Sequence, residues 1–231
     1  MVTAGGSMGL HVRGLSHRLG ERVLLDGVDL DIEPGESVAV TGPSGSGKST
    51  LLMCILGLVA PDGGTVDVGT HRLTGLRPKQ LARIRRAHLG VVFQFGELLP
   101  ELSPVENVAL PVLLDGGEHR DAYRRAAELL SELGVPQDGT PTGMLSGGER
   151  QRAAVARALI TDPDVLLADE PTGALDPRAR EAVADLLFTV SRERGCALLV
   201  VTHDPSVAAR AQRTLRLEAG ALTDALDGVD A

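Results

Sequence analysis

Tryptophan is absent from this 231-residue chain, and with one Tyr and three Phe the aromatic share is only 2%. The stacking platforms that single-stranded nucleic acids rely on are therefore missing. Basic residues are also scarce: 23 Lys and Arg face 31 Asp and Glu, giving a net charge of −8 and a pI near 5.2. Such a chain offers no broad basic face, so no nucleic-acid partner is expected. No apolar run approaches the roughly 20 residues of a membrane-spanning helix. The longest, Leu51 to Ala60, is broken by Gly57. Residues Met1 to Gly9 lack the basic and apolar regions of a signal peptide and read as a flexible leader, with Met8 a second candidate start. A cytoplasmic location follows as the expectation. Only two cysteines occur, Cys54 and Cys196, far apart inside apolar runs, which suits core side chains in a reducing compartment better than a disulfide or a metal site. A hydrophobic share of 43% and this length are ample for a buried core.

Lysine is rarer still. One of only two, Lys48, falls in Gly42-Pro43-Ser44-Gly45-Ser46-Gly47-Lys48-Ser49, a match to GxxxxGK[ST]. Before it lies Val38-Ala39-Val40, apolar and partly β-branched, as in a buried strand; after it Leu51, Leu52, Ile55 and Leu56 recur at helical spacing. Strand, glycine loop and helix thus occur in the order that makes a phosphate cradle. Glycines let successive N–H groups turn inward, and the positive end of the helix dipole faces the same point. Lys48 would reach the β and γ phosphates, and the Ser49 hydroxyl would hold a bridging magnesium ion. A glycine-rich turn opening a core helix is the plain alternative.

Upstream, Leu10-His11-Val12, Val23-Leu24-Leu25 and Val28 to Ile32 alternate with turn signals, predicting antiparallel strands before the loop. Downstream, Pro61 to Gly64 reads as a turn and Thr65 to Val68 as a strand. Arg83, Arg85 and Arg86 lie on an expected helix between Arg77 and His88, more simply a solvated face than an anion site. Leu89 to Phe93 returns to a core strand ending at Gln94, which is either ligand-facing or merely solvent-facing. From Gly96 to Thr161 the pattern turns helical, with helices over Val105 to Leu114 and Arg120 to Leu133. The stretch closes on Leu145-Ser146-Gly147-Gly148-Glu149, where Ser146 and Glu149 have capping-box spacing. Two glycines are not needed for a cap, so a second anion site at this helix start is the sharper reading.

Val165 to Ala168 is wholly apolar and ends in Asp169-Glu170. Adjacent carboxylates at the carboxyl end of a buried strand are costly unless they serve a cation or a reaction. Asp169 would order a magnesium shell, and Glu170 would polarise a water beside the γ phosphate. Asp176 precedes Pro177 and a helix through Val190, where a plain N-cap role is the alternative. Cys196 to Thr202 is another apolar strand, with His203 at its carboxyl edge; His11, His17, His71, His88 and His119 have no such position. Strand ends at Thr41, Asp169 and His203 should meet along one sheet edge.

Together these motifs resemble the nucleotide-binding subunit of an ATP-binding cassette (ABC) transporter across about residues 10 to 220. Gly42 to Ser49 resembles its Walker A loop, Gln94 its Q-loop glutamine, and Leu145 to Glu149 its LSGGQ signature with Glu in the last place. Leu166 to Glu170 resembles Walker B with the catalytic glutamate, Ala174-Leu175-Asp176 the D-loop, and His203 the switch histidine. Glu106 to Pro111 and Glu170 to Asp176 are similar to the subfamily of lipoprotein-release, macrolide-efflux, antimicrobial-peptide-resistance and cell-division ATPases.

The resemblance implies an α/β P-loop NTPase fold: a RecA-like parallel sheet core, an N-terminal antiparallel β subdomain and an α-helical insertion. Its parts would be residues 10–95, a helical subdomain over 96–161, and the rest of the core over 162–231. ATP and magnesium are the implied ligands. Gly42 to Ser49 with Thr50 and Leu19 would bind nucleotide in one chain, and Ser146, Gly147, Gly148, Glu149 and Asp176 from a second copy. Ser49, Gln94 and Asp169 would serve the metal; Glu170, His203, Lys48 and Gln94 the catalysis. An ATP-dependent head-to-tail homodimer would drive a separate transmembrane permease from the inner face of the membrane. The permease would dock on Phe95 to Val105, a segment that otherwise reads as subdomain core. A rival is a regulatory ATPase that transmits force to a permease-like partner without moving a substrate. The family stacks adenine on an aromatic residue where this chain has Leu19, with only His17 or Val23 nearby in sequence to help. Weak base selectivity follows. Titration should give similar Kd values for ATP and GTP, and a strong ATP preference would contradict the expectation.

Overall fold

The computed structural model describes residues 9–137 and 139–225, so the expected leader, Gly9 apart, lies outside them. Its centre is a six-stranded sheet. β3 (Ser37–Thr41), β6 (Leu89–Val92), β7 (Val165–Asp169), β8 (Ala197–Val201), β9 (Arg213–Glu218) and β10 (Ala221–Asp224) lie in the order β10-β9-β3-β8-β7-β6. All neighbouring pairs are parallel except β9 with β10. Strands buried on both faces need apolar residues throughout, as in Val165 to Ala168 and Ala197 to Val201. Their side chains alternate between two cores: Leu166, Ala168, Leu198 and Val200 enter one, and Val165, Leu167, Leu199 and Val201 the other.

The second core is closed by a four-stranded antiparallel sheet of order β2-β1-β4-β5, formed by β1 (Leu10–Leu19), β2 (Arg22–Ile32), β4 (Gly63–Val68) and β5 (His71–Arg72). Helix α1 (Lys48–Ile55), opened by the glycine loop, buries Leu51, Leu52, Cys54 and Ile55 in it. Antiparallel strands do precede the loop, but Val23 to Leu25 and Val28 to Ile32 form one strand. Asp26-Gly27 resembles a turn in sequence; Gly27 instead takes φ +66° inside the strand, and the β1–β2 pairing shifts register on the opposite side. β4 likewise begins at Gly63, inside the expected turn. Both cysteines are buried, and burial pushes each thiol up to about 11, so they are core residues.

The first core is covered by helices. After α2 (Pro78–His88) and β6 come α3 (Pro104–Leu114), α4 (His119–Glu132) and α5 (Gly147–Leu159). Helix α6 (Pro177–Arg194) links β7 to β8, and a short α7 (Pro205–Ala208) precedes β9. α3 has a full capping box of Ser103 with Glu106. α6 runs past the expected Val190 to Arg194 and ends on Gly195 at φ +69°. The arginines of α2 do not share one role: Arg85 donates to the Leu56 carbonyl at 3.1 Å, and Arg86 pairs with Asp115 at 2.8 Å.

Between Gln94 and α3 the chain is held in part by the fully buried Asn107 side chain. Asn107 accepts from the Leu99 N–H at 2.7 Å, and its amide lies 2.9 to 3.2 Å from the carbonyls of Leu99, Leu102 and Ser103. That latch leaves Phe95 and Leu99 exposed while Leu98 packs into the core. Replacing Asn107 by Ala would strand the Leu99 N–H, since the Leu99, Leu102 and Ser103 carbonyls keep other donors, at a cost of about 2 kcal/mol. Urea denaturation of Asn107→Ala should show that loss; an unchanged midpoint would mean that water replaces the latch.

Candidate active site

Parallel register brings the functional strand ends together. Val40 pairs with Val201, and Val201 with Asp169, so the carboxyl ends of β3, β8 and β7 lie level. There Gly42, Ser44, Gly45, Lys48, Ser49, Asp169, Glu170 and His203 line a cavity of about 220 Å³. The expected meeting of Thr41, Asp169 and His203 at one sheet edge is observed.

The loop's shape depends on glycine at both ends. A Cβ on Gly42 would lie 2.3 Å from the Leu217 carbonyl oxygen, and one on Gly47 2.6 Å from that of Leu24. Both glycines have positive φ, +147° and +106°. Lys48 is buried, and its ammonium donates to the Gly42 and Pro43 carbonyls at 2.8 and 3.0 Å. The loop's own carbonyls thus satisfy its cation. Ser49, the second residue of α1, is exposed, beside the half-buried Thr50.

Asp169 closes the cavity opposite. Burial pushes its carboxyl above the usual range, while a hydrogen bond from Ser49 pulls the other way; Glu170 raises it and Lys48 lowers it. A desolvated carboxylate bonded to a hydroxyl is an oxygen pair suited to a hard divalent cation. Glu170 follows at φ +46°, a left-handed conformation that costs a non-glycine residue about 1–2 kcal/mol. Its N–H donates to the Val201 carbonyl at 2.9 Å, which holds the turn. One carboxylate oxygen lies 2.8 Å from His203 Nδ1; the other is 3.3 Å from the His203 N–H and the Thr202 hydroxyl. A carboxylate has about four acceptor positions, so capacity for a water remains.

Gln94, Asp176, Leu19 and the stretch from Ser146 to Glu149 lie apart. Gln94 does not line this cavity; its Nε2 would be 2.8 Å from a Cβ on Gly173, so its amide rests against the loop that follows Glu170. Asp176 caps α6, accepting from the Arg178 and Ala179 N–H groups at 3.0 and 3.1 Å. Leu19 ends β1 with 69% of its surface exposed. Ser146, Gly147, Gly148 and Glu149 form the expected capping box of α5. A Cβ at Gly147 would lie 3.2 Å from Leu175 Cδ2, and one at Gly148 3.2 Å from Ala179 Cβ. The two glycines therefore let α5 abut the start of α6 within the same chain.

Other participants carried no signal in sequence. Gln151 is buried and donates to the Phe93 carbonyl at 2.8 Å. Arg157, whose guanidinium burial shifts below its ordinary value, donates to the carbonyls of Gly96 and Glu97 at 2.7 and 2.6 Å. Both tie the Gln94 loop to α5. Arg22 donates to the Gly45 carbonyl at 2.7 Å. His17 is 3.7 Å from Asp62, and His11 and His88 pair with Asp31 and Asp164.

Residues 25–173 match the family described as ABC transporter. The chain belongs to that family. The lipoprotein-releasing system ATP-binding protein LolD of Chromohalobacter salexigens is 44% identical over 202 residues, 87% of this chain and 85% of the relative. That of Nitratidesulfovibrio vulgaris is 47% identical over 205 residues, 88% of each. Among solved structures, the dimeric post-hydrolysis state of the ATP-binding cassette MJ0796 bound to ADP and Pi has a TM-score of 0.82 and 36% identity, covering 92% of this chain and 96% of that one. The chain is an ABC ATP-binding subunit with a P-loop NTPase fold, an ATP hydrolase that works with a membrane partner. Among the described residues no helix is long and apolar enough to cross a membrane itself.

Asp169 generates a pH-dependent trade-off. Its raised folded pKa means that the folded state keeps the proton longer than the unfolded state, so stability falls as pH rises from the ordinary carboxylate range through the folded value. Asp169→Asn should therefore melt higher than wild type at pH 7 without ligand, with the gap closing below about pH 4. A gap that does not change with pH would refute the desolvation account.

Proposed function

We propose that this chain powers a lipoprotein-release type of transporter as an ATP-dependent head-to-tail homodimer, at the inner face of the cell membrane. The LolD relatives support the transporter class. The observation that carries the dimer is the division of the site: Ser146 to Glu149 line no part of the cavity built by Lys48, Ser49, Asp169, Glu170 and His203. One chain presents two half-sites, and a second copy turned head to tail completes each.

In that arrangement Lys48 exchanges the Gly42 and Pro43 carbonyls for β and γ phosphate oxygens, joined by the loop N–H groups and Thr50. Ser49 and Asp169 would hold a magnesium ion, which when bound offsets the charge of those phosphates. Gln94 is the further ligand in this reading and reports the permease to the site, its loop being coupled to Gly173 and to α5. Glu170 orients a water and takes its proton. His203 aligns Glu170 through Nδ1 and offers its other ring nitrogen to the γ phosphate. Ser146, Gly147, Gly148 and Glu149 present a capped helix N-terminus to the nucleotide of the second copy, with Asp176 at the same surface. Exposed Phe95 and Leu99 suit the dock of the permease's cytoplasmic helix.

ATP turnover and ATP-dependent dimerisation should be measured for wild type, Glu170→Gln and Lys48→Ala. Glu170→Gln should lose at least about 100-fold in turnover yet form a stable dimer with ATP; Lys48→Ala should do neither. Normal turnover by Glu170→Gln would make that carboxylate structural and end the proposed chemistry.

A further inference from the structure

Glu170 is fixed at its backbone by β8 and at its carboxylate by Thr202 and His203, the two residues that follow that strand. Its N–H donates to the Val201 carbonyl at 2.9 Å. Oε1 lies 2.8 Å from His203 Nδ1, and Oε2 lies 3.3 Å from both the His203 N–H and the Thr202 hydroxyl. The two side chains that reach the carboxylate differ in their surroundings: the His203 ring is 71% exposed, and Thr202 is 1% exposed. A contact at one oxygen leaves a carboxylate free to turn about its last side-chain bond, which is a soft torsion. Contacts at both oxygens fix its plane, and Thr202 is the buried side chain among them.

Thr202 is itself held at both its N–H and its hydroxyl. The N–H donates to the carbonyl of Val40 at 3.1 Å, in the strand that runs into the phosphate loop. The hydroxyl accepts from the Asp204 N–H at 3.0 Å. An N–H only donates, so the hydroxyl proton is left for Glu170 Oε2. Asp204 is anchored in turn: its carboxylate accepts from the N–H and the hydroxyl of Ser206, both at 2.8 Å, and pairs with Arg180 of α6 at 3.2 Å. One buried residue therefore links the Glu170 carboxylate to the strand that carries the loop of Lys48. At 3.3 Å its bond to Oε2 is longer than the usual O–H···O contact, as catalytic hydrogen bonds commonly are before substrate tightens them.

We propose that Thr202 is a positioning residue for the catalytic base: its buried hydroxyl, oriented by the Asp204 N–H, sets the plane of the Glu170 carboxylate against the phosphate loop. This rests on Glu170 being the base, as in the function proposed above. The hydroxyl touches no nucleotide in this role and acts through Glu170 alone. Its loss therefore slows the chemical step and leaves ATP binding and the ATP-dependent dimer unchanged.

The test measures kcat and KM for ATP, and ATP-dependent dimerisation, in wild type, Thr202→Val, Thr202→Ala, Thr202→Ser, Glu170→Gln and the double variant Glu170→Gln/Thr202→Val, with kcat expressed per ATP-binding site. Val keeps the shape of Thr without its hydroxyl, and Ala removes the hydroxyl without that shape should Val not fold. Both should lower kcat at least about tenfold, the worth of a hydrogen bond to a charged group, with KM and dimerisation unchanged. Thr202→Ser, which keeps the hydroxyl, should turn over ATP as wild type does. In the Glu170→Gln background, Thr202→Val should cost nothing further, because the two residues act as a unit. A wild-type kcat without the hydroxyl, a loss of ATP affinity or dimerisation that matches the loss of turnover, Thr202→Ser as slow as Thr202→Val, or a full additional loss in the double variant would each overturn the proposal. Normal turnover by Glu170→Gln would end the base assignment and this proposal with it; an inactive Glu170→Gln beside a normal Thr202→Val would end this proposal alone.

Discussion

The parallel register of β3, β8 and β7 is the constraint on which the site depends. It sets Val40, Val201 and Asp169 in one row, so three chain segments far apart in sequence leave the sheet at the same level. Each strand is apolar to its last residue because both faces are covered, and each turns polar at the carboxyl edge because the cover ends there. A one-residue slip in any of them would exchange the two cores and carry Asp169 or His203 out of reach of the loop. The two flanking cores of alternating Leu, Val and Ala side chains thus fix the chemistry as firmly as they fix the fold.

Strain and desolvation gather where that edge meets the loop. Asp169 is held where its charge is disfavoured, Glu170 sits in a left-handed conformation, and Lys48 occupies itself with loop carbonyls. The first two cost stability, while the loop carbonyls satisfy the lysine. In the function proposed above, a triphosphate and a cation would give the Asp169 charge partners and Lys48 a stronger acceptor.

Features set by neighbours in sequence were legible. The glycine loop, the capping box at Ser146 and the polar residue after each apolar run appear in the structure near the expected numbers. Strand ends at Asp26-Gly27 and Pro61 to Gly64 were misplaced because a bulge and a turn use the same residues. Sheet order was invisible: β3 lies between β8 and β9, about 160 residues onward, and no local pattern encodes that choice. Arginines binding backbone carbonyls were hidden for a different reason. A carbonyl is present at every residue, so Arg22 on Gly45 and Arg157 on Gly96 have no complementary side chain to betray them.

Gly147 and Gly148 show how a local surprise can have two physical causes. In sequence they exceed what a capping box needs, which points to a ligand. In the structure their missing side chains admit Leu175 and Ala179, the residues flanking the Asp176 cap. The start of α5 is therefore packed against the start of α6, while Arg157 and Gln151 of the same helix grip the Gln94 loop. Any displacement of α5 must carry the Gln94 loop, the glycine pair and the Asp176 turn together or break these contacts. In the proposed dimer, a force arriving at exposed Phe95 would then reach the surface offered to the second copy through one helix.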